Sequence, residues 1–405
     1  MAQRRLKVGV TGAGIAHSPD GRERWAVRAH IPALKALPDM YEVVAVCTTH
    51  MATAEESARH FGVPYAFDSV DRMLSELPEL DVVCVSVRPV YHYEVTMPAL
   101  QSGKHVYCEF QMGFNTMQGR EIYHLAREKG VRTMLGYQGH YAPSLLHMRE
   151  LVRQGFIGKP LTFGSSSFGG NYIAPRPSHH QWIFQTEMGG HWGYRSMGAL
   201  ERVMSVLGQD IAALCVDMAV KVPERPALDT GRTIQSDQAD NMNYLVRMAD
   251  GTMGTIQTCL TGWFGTGNRL EIYGTEGMLL LTTSIQRPEW RKETGLGDPT
   301  RGVERLYGAR VNLERLMTDL TPPELLQGKF EEIPIPDRHV YVSGIAEGRA
   351  TFGVAQAWAA FHKAVVEDRE YSPAFQDGYK IHLLMDAADK SVETRSWVDV
   401  DYSSL

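Results

Sequence analysis

The stretch LKVGVTGAG, residues 6–14, decides how the rest of the chain is read. A short, mostly apolar strand runs straight into Gly12, Ala13 and Gly14. Glycines at such a point allow a tight turn and let the backbone approach a pyrophosphate, which the N-terminus of the next helix stabilises. The third glycine of the dinucleotide fingerprint would fall at position 17, where His17 stands instead. The loop HSPDGRE also delays the helix to about residue 24. A GxG alone is a weak signal. Its place after the first strand of a doubly wound domain gives it weight, and it makes Gly12, Gly14 and Ile15 candidate cofactor-binding residues.

Working outward, EVVAVCT, DVVCVSV, KHVYCEF and VRTMLGY read as further strands. The stretches RWAVRAHIPALKAL, TAEESARHFG, HYEVTMPALQSG and TMQGREIYHLAREKG read as helices between them. Apolar strands separated by helices mean a parallel sheet covered on both faces. Right-handed crossovers then wind it both ways from its centre. The expected fold class is α/β, with an N-terminal Rossmann-type doubly wound domain over residues 1–137. After about residue 136 the pattern changes. APSLLHMRELVRQGFIG is a helix with a glycine stop, followed by period-two runs such as IAALCVDMAVKV and RLEIYGTEGMLLL. The pairs Asp250-Gly251 and Glu276-Gly277 mark hairpins between such runs. Residues 138–405 are therefore expected to form an α+β domain with an open, mostly antiparallel sheet. A helix over about 191–207 interrupts it, and two helices close the chain. Residues 283–340, rich in Pro, Gly and charge, read as an irregular excursion.

The chain has 405 residues, 43% hydrophobic and 22% charged, with a net charge of −6. That length suits two domains, and the mild negative charge lacks the basic stripe that nucleic acid requires. No apolar run approaches a membrane span, and the start MAQRRLKVGV does not read as a signal peptide. Five scattered cysteines, none in CxxC spacing, suit a reducing compartment. The expected location is the cytoplasm.

Candidate ligand-binding residues gather where the strands end. The second strand ends at Cys47, Thr48, Thr49 and His50, without the acidic residue that accepts from the ribose 2′-hydroxyl of NAD. Two hydroxyls and a histidine suit a 2′-phosphate, although no Arg or Lys adjoins them in sequence. The expected cofactor is NAD or NADP, leaning to NADP. Arg88 and Pro89 end the fourth strand, and His92 begins the next helix, where capping is its other reading. Further on, Tyr172, His179, His180, Trp182, Phe184, His191, Trp192 and Tyr194 crowd together, against 9% aromatics overall. Rings at that density suit a flat or apolar substrate, with ordinary packing as the alternative. Adjacent His179 and His180 would point to opposite faces of an extended segment, and no carboxylate completes a ligand spacing, so no metal is expected there.

Three segments together resemble the Gfo/Idh/MocA oxidoreductases: SVRPVYHYEVTMPALQSGKHVYCE, RLEIYGTEGMLLL and FQDGYKIHLLMDAADKSVETRSWVDV. The likeness covers nearly the whole chain apart from about 283–340. WAVRAHIPALKAL after a stretched glycine loop is most similar to the Gal80-like branch, which holds dehydrogenases and a regulator that binds the dinucleotide without catalysis. The resemblance implies an active site between the two domains and homo-oligomers, dimers or tetramers, through the C-terminal sheet. It also implies that Glu109 lies near the nicotinamide ribose and Gln138 beside the nicotinamide. The family's Glu-Lys-Pro reads Glu109-Phe110-Gln111 here, so Phe110 takes the place of the lysine. On the helix after Gly189-Gly190, the family's Asp, Gly, His and second Asp fall on Tyr194, Ser196, Gly198 and Glu201.

With the usual proton-handling residues replaced, Tyr194 with His191 or His180 is the expected catalytic pair. The other reading of Tyr194 is packing at the domain interface. Phe110, Gln111, Tyr172, His179, Trp182 and Trp192 are expected to face a substrate. The implied activity is hydride transfer to or from a hydroxyl or carbonyl carbon of an aromatic, cyclic or sugar-like small molecule. A non-catalytic NAD(P)-binding regulator and a redox-neutral enzyme with a tightly held NAD are the alternatives.

Overall fold

The computed structural model describes residues 4–15, 24–169, 173, 175–191, 193–263, 265–283, 304–311, 329–347 and 350–405. The N-terminal elements are β1 (Leu6–Thr11), α1 (Ile31–Lys35, preceded by a π-turn over Ala26–His30), β2 (Tyr41–Cys47), α2 (Met51–Phe61), β3 (Tyr65–Phe67), α3 (Val70–Glu76), β4 (Val82–Val85), α4 (His92–Gln101), β5 (His105–Cys108), α5 (Thr116–Lys129) and β6 (Thr133–Leu135). The six strands are all parallel, in the order β3-β2-β1-β4-β5-β6. The chain winds outward from β1 one way and then returns through β4 the other way. The crevice therefore opens at the carboxyl ends of β1 and β4. Full burial of β4 explains why its run is wholly apolar. Strand β3 and helix α3 have no counterpart in the sequence reading. β3 is a three-residue edge strand with Tyr65 exposed, too short and too wet to show a pattern.

The second half contributes α6 (Pro143–Arg153), β7 (Pro160–Phe168), α7 (Gly193–Leu207), β8 (Ile211–Ala219), β9 (Glu224–Pro226), β10 (Thr233–Gln235), β11 (Asn241–Met248), β12 (Met253–Cys259), β13 (Gly267–Gly274), β14 (Gly277–Thr283), β15 (Glu304–Arg310), β16 (Glu331–Glu332), α8 (Ala350–Val366), α9 (Phe375–Thr394) and β17 (Val398–Asp399). Nine of these strands make one sheet, in the order β16-β15-β14-β13-β7-β12-β11-β8-β17. Every pairing is antiparallel except β7 with β12. β11 shows the logic: Met242, Tyr244, Val246 and Met248 are buried, while Asn243, Leu245 and Arg247 point outward. The buried face shares one core with Leu200, Val203 and Leu207 of α7. Within the stretch expected to be irregular, Glu304–Arg310 forms β15, centred on the buried Leu306.

Helix α8 leaves the sheet and returns to the N-terminal domain. Its Trp358 and Phe361 share a core with Leu6, Val8 and Val10 of β1, and the Tyr41 hydroxyl donates to the Trp358 carbonyl at 2.9 Å. Truncating a fully buried Trp costs about 3–5 kcal/mol, so the end of the chain contributes substantially to the stability of its beginning. Among the described residues no helix is long and apolar enough to cross a membrane.

A buried ion pair ties the segment before α7 to the sheet. Asp240 accepts from Arg225 at 2.9 Å and from the backbone of Lys221 and Val222 at 2.8 and 3.0 Å. The Arg225 guanidinium lies 3.9 Å over the Phe184 ring. Both charged side chains are almost wholly buried, and removing one partner of such a pair strands the other. Asp240→Ala is expected to lose about 3–5 kcal/mol of stability in urea titrations. A loss below about 1 kcal/mol would show that the pair does not hold this segment.

Candidate active site

The glycine turn after β1 lies against the end of β4. Gly12 has φ +71°, and a Cβ there would stand 2.1 Å from the Ser86 carbonyl oxygen. Its N–H donates to the Cys47 carbonyl at 3.0 Å, which brings the end of β2 to the same point. A Cβ placed on Gly14 would lie 3.7 Å from both the Arg24 guanidinium carbon and the Thr48 methyl. A cation missing from the sequence neighbourhood of Thr48 is thus supplied by the far end of the glycine loop. Arg24 is lowered from the usual arginine range, first by burial and then by the charge of Arg88. The Arg24 guanidinium thus lies beside the glycine turn and within range of the Arg88 charge, and this suits a phosphate-bearing ligand.

Thr48, Thr49 and His50 divide their roles. The Thr48 hydroxyl turns inward to the His50 carbonyl at 2.9 Å and to the Thr53 hydroxyl at 2.7 Å, organising the first turn of α2. Thr49 and His50 are exposed. Ile15 is half-buried at the last described position of the loop, and Pro89 is buried in a one-turn helix over Pro89–Tyr91.

His92 is buried among backbone rather than open to a ligand. Its Nδ1 lies 2.6 Å from the Gln111 carbonyl and its Nε2 3.0 Å from the Val87 carbonyl. The ring clamps the loop after β5 to the loop after β4. Burial pushes its pKa down, against the opposing pull of those two carbonyls.

Glu109, at the end of β5, is the most heavily bonded group at this edge. Its Oε1 lies 2.9 Å from His30 Nε2. The Gln138 side-chain amide donates to both carboxylate oxygens, at 2.8 and 2.9 Å. The Trp358 indole N–H donates to His30 Nδ1 at 3.1 Å. That nitrogen therefore carries no proton, and the ring proton sits on Nε2, facing the carboxylate. His30 is fully buried, while the Glu109 side chain keeps 14% of its exposure. His30 lies within WAVRAHIPALKAL, but neither it nor Trp358 stood out as a site residue in the sequence. Each merely sits among apolar residues at helical spacing.

Phe110 and Gln111 were expected to face a substrate, and both are buried instead. The Phe110 ring stacks on Tyr137 at 4.7 Å and joins the core shared by both domains. The Gln111 amide donates to the Phe114 carbonyl at 3.4 Å. A ring of this size gains more by filling the joint than by standing in water.

The loop before α7 reaches the same edge. Gly189 has φ +88°, and a Cβ there would crowd Val90, just past the end of β4, at 3.1 Å. Next to it, His191 Nδ1 accepts from the Gly193 N–H at 3.0 Å. Burial pushes the His191 pKa down to about 4, so the ring is neutral near pH 7 with its proton on Nε2. His382 of α9 is pushed down to about 3, first by burial and then by the neighbouring His191. Its Nε2 accepts from the Gly113 N–H at 3.3 Å. His180 and Trp182 are half-buried in the helical turn Ser178–Phe184, in the chain just before α7. Tyr172 and Trp192 lie outside the described residues, as do the side chains of His179 and Tyr194. Ser196 is buried, its hydroxyl 2.6 Å from that of Tyr244. Glu201 is buried against His140. A Cβ on Gly198 would meet nothing within 4 Å.

The oxidoreductase family with an NAD-binding Rossmann fold matches residues 6–137, and the GFO/IDH/MocA C-terminal domain matches residues 145–280. The chain belongs to this oxidoreductase family. Among curated relatives, the levoglucosan dehydrogenase of Pseudarthrobacter phenanthrenivorans is 25% identical over 413 residues, covering 98% of each chain. The galactose/lactose metabolism regulatory protein GAL80 of Saccharomyces cerevisiae is 27% identical over 180 residues, covering 42% of this chain and 40% of its own. A solved levoglucosan dehydrogenase in complex with NADH and levoglucosan superposes with a TM-score of 0.78 at 22% identity. It covers 98% of this chain and 100% of its own, and it confirms the two-domain fold.

Two expectations follow for this family member. Trp358→Phe keeps an aromatic ring but leaves His30 Nδ1 without its donor, and should cost at least about 1–3 kcal/mol in urea titrations. A loss within error of zero would mean that the indole N–H does not fix the ring. Secondly, His191 and His382 titrate below the unfolded value of about 6.5. The unfolded chain therefore takes up more protons as the pH falls from about 6.5 toward 4, and stability drains over that window. The urea midpoint should drop between pH 7 and pH 5, and drop less in His382→Gln. Equal drops in both proteins would remove His382 from this account.

Proposed function

We propose that the protein is an NAD(P)-dependent dehydrogenase that moves hydride to or from a hydroxyl or carbonyl carbon of a cyclic, aromatic or sugar-like small molecule. One observation carries this reading. The glycine turn with the Arg24 guanidinium beside it, the fixed Glu109 carboxylate and the start of α7 converge on the carboxyl edge of one parallel sheet. When bound, the nucleotide supplies the hydride donor or acceptor at its nicotinamide ring. The Gly12 turn and the Arg88 guanidinium would hold the diphosphate, and Arg24, beside Thr48, the 2′-phosphate of NADP. Glu109, fixed by His30 and Gln138, accepts from ribose hydroxyls on the nicotinamide side. Tyr194, on the first turn of α7, gives its phenol proton to the substrate oxygen in the reducing direction and takes it back in the oxidising one. His191, neutral with its N–H on Nε2, steadies the phenolate by hydrogen bonding rather than by acting as an acid. His180 is the second candidate partner. Gly198 leaves room beside α7 that suits a ring-shaped substrate.

Tyr194→Phe combined with His191→Ala is expected to lower kcat at least about 100-fold on a panel of cyclic polyols and dihydrodiols, with nucleotide affinity unchanged. Unchanged turnover would overturn the catalytic assignment. Arg24 beside Thr48 favours NADP over NAD. Arg24→Ala should weaken NADPH binding about tenfold in fluorescence titrations and leave NADH binding nearly constant. Equal weakening of both would place Arg24 on the diphosphate alone.

The GAL80 match supports a second reading, a nucleotide-binding regulator without turnover. Tight NAD(P)H binding with no hydride exchange on any panel member would favour it. In either case the outer sheet face, with Leu245, Met253 and Tyr273 exposed, supports a homo-oligomer.

A further inference from the structure

We propose that His147, Glu150 and His339 form a binding site for a divalent transition-metal ion of the zinc type, built from elements other than those of the candidate active site. His147 and Glu150 are three residues apart on α6 and share one helix face. His339 closes the one-turn helix Asp337–His339, which packs against α6. His147 Nδ1 lies 3.2 Å and His339 Nε2 3.0 Å from the same carboxylate oxygen, Glu150 Oε2. All three ligand atoms fall within 4.8 Å of one another, and the two imidazole rings lie 5.3 Å apart.

Two imidazole nitrogens and a carboxylate oxygen form a donor set that suits zinc. With ligands at about 2.0–2.1 Å from the ion, neighbouring donor atoms of a tetrahedral shell stand roughly 3.3 Å apart. The two nitrogen–oxygen distances already approach that value, so only the histidines need to draw together. A water completes the shell. A cation would take the place of the ring protons that His147 Nδ1 and His339 Nε2 present to the Glu150 carboxylate.

Arg338 is the competitor. Its guanidinium donates to the same Glu150 oxygen at 2.5 Å, and its side chain is 57% exposed. An arriving cation displaces it into solvent, where it rehydrates at little cost. A bound ion would pin the 337–339 turn to α6, and with it the chain leading into α8, whose Trp358 holds His30.

The test uses the full chain, stripped with a chelator and titrated with Co²⁺ under visible absorption. Near-stoichiometric uptake is expected, with the intense d–d bands of a low-coordinate site, displaced by one equivalent of Zn²⁺. Because the chain carries 15 histidines, the variants decide the location. His147→Ala and His339→Ala should weaken Co²⁺ binding at least about tenfold. Glu150→Gln, which keeps the shape of the side chain, should do the same if an alanine variant fails to fold. Arg338→Ala should tighten binding several-fold, an outcome that a plain ion-pair network would not produce. Absence of the absorption bands at millimolar Co²⁺, or equal binding by the His147 and His339 variants, would overturn the proposal.

Discussion

The Glu109 carboxylate, held between His30 and Gln138, is the interaction on which the arrangement of the cleft depends. A largely buried carboxylate is costly unless nearby donors are aimed at it. Three separated parts of the chain provide the aim. His30 comes from the turn before α1, Gln138 from the crossing between the halves, and Trp358 from α8. The indole fixes the tautomer of the imidazole, and the imidazole presents its only proton to the carboxylate. The end of β5 is therefore placed by the last hundred residues as much as by its own sheet.

The rest of the edge follows the same economy, with loops brought together by backbone contacts that side chains then lock. Gly12 meets the Ser86 carbonyl, His92 bridges the carbonyls of Val87 and Gln111, and Gly189 seats against Val90. The loops after β1, β4 and β5 and the approach to α7 thus share one rigid rim. Among the described residues, a Cβ on Gly198 would meet nothing within 4 Å, and the Arg24 guanidinium lies beside the glycine turn. Phe110 adds to the rigidity from below by stacking on Tyr137.

Much of this was legible in the sequence wherever burial is uniform. The wholly apolar β4 and the alternating β11 announce a parallel and an antiparallel sheet, because each pattern reports how many faces meet water. Short elements escaped: β3, α3 and the β9–β10 ribbon bury too little to leave a periodic mark. Glu109 and Gln138 could be placed by resemblance to relatives, but direction could not. Phe110 and Gln111 occupy the positions expected and point into the core. Arg24 and His30 were invisible for a different reason. Their partners lie far off in sequence, and a histidine on an apolar helix face looks like any other core residue. The same holds for His147, Glu150 and His339, which only the return of the chain brings together.

The most direct measurement of the central claim is the tautomer of His30, read by long-range ¹H–¹⁵N correlation on protein labelled at histidine. A ring with its proton on Nε2 and an unprotonated acceptor Nδ1 is expected. A ring protonated on Nδ1 would contradict it, because the indole of Trp358 could then not donate to that nitrogen and nothing would aim the imidazole at Glu109.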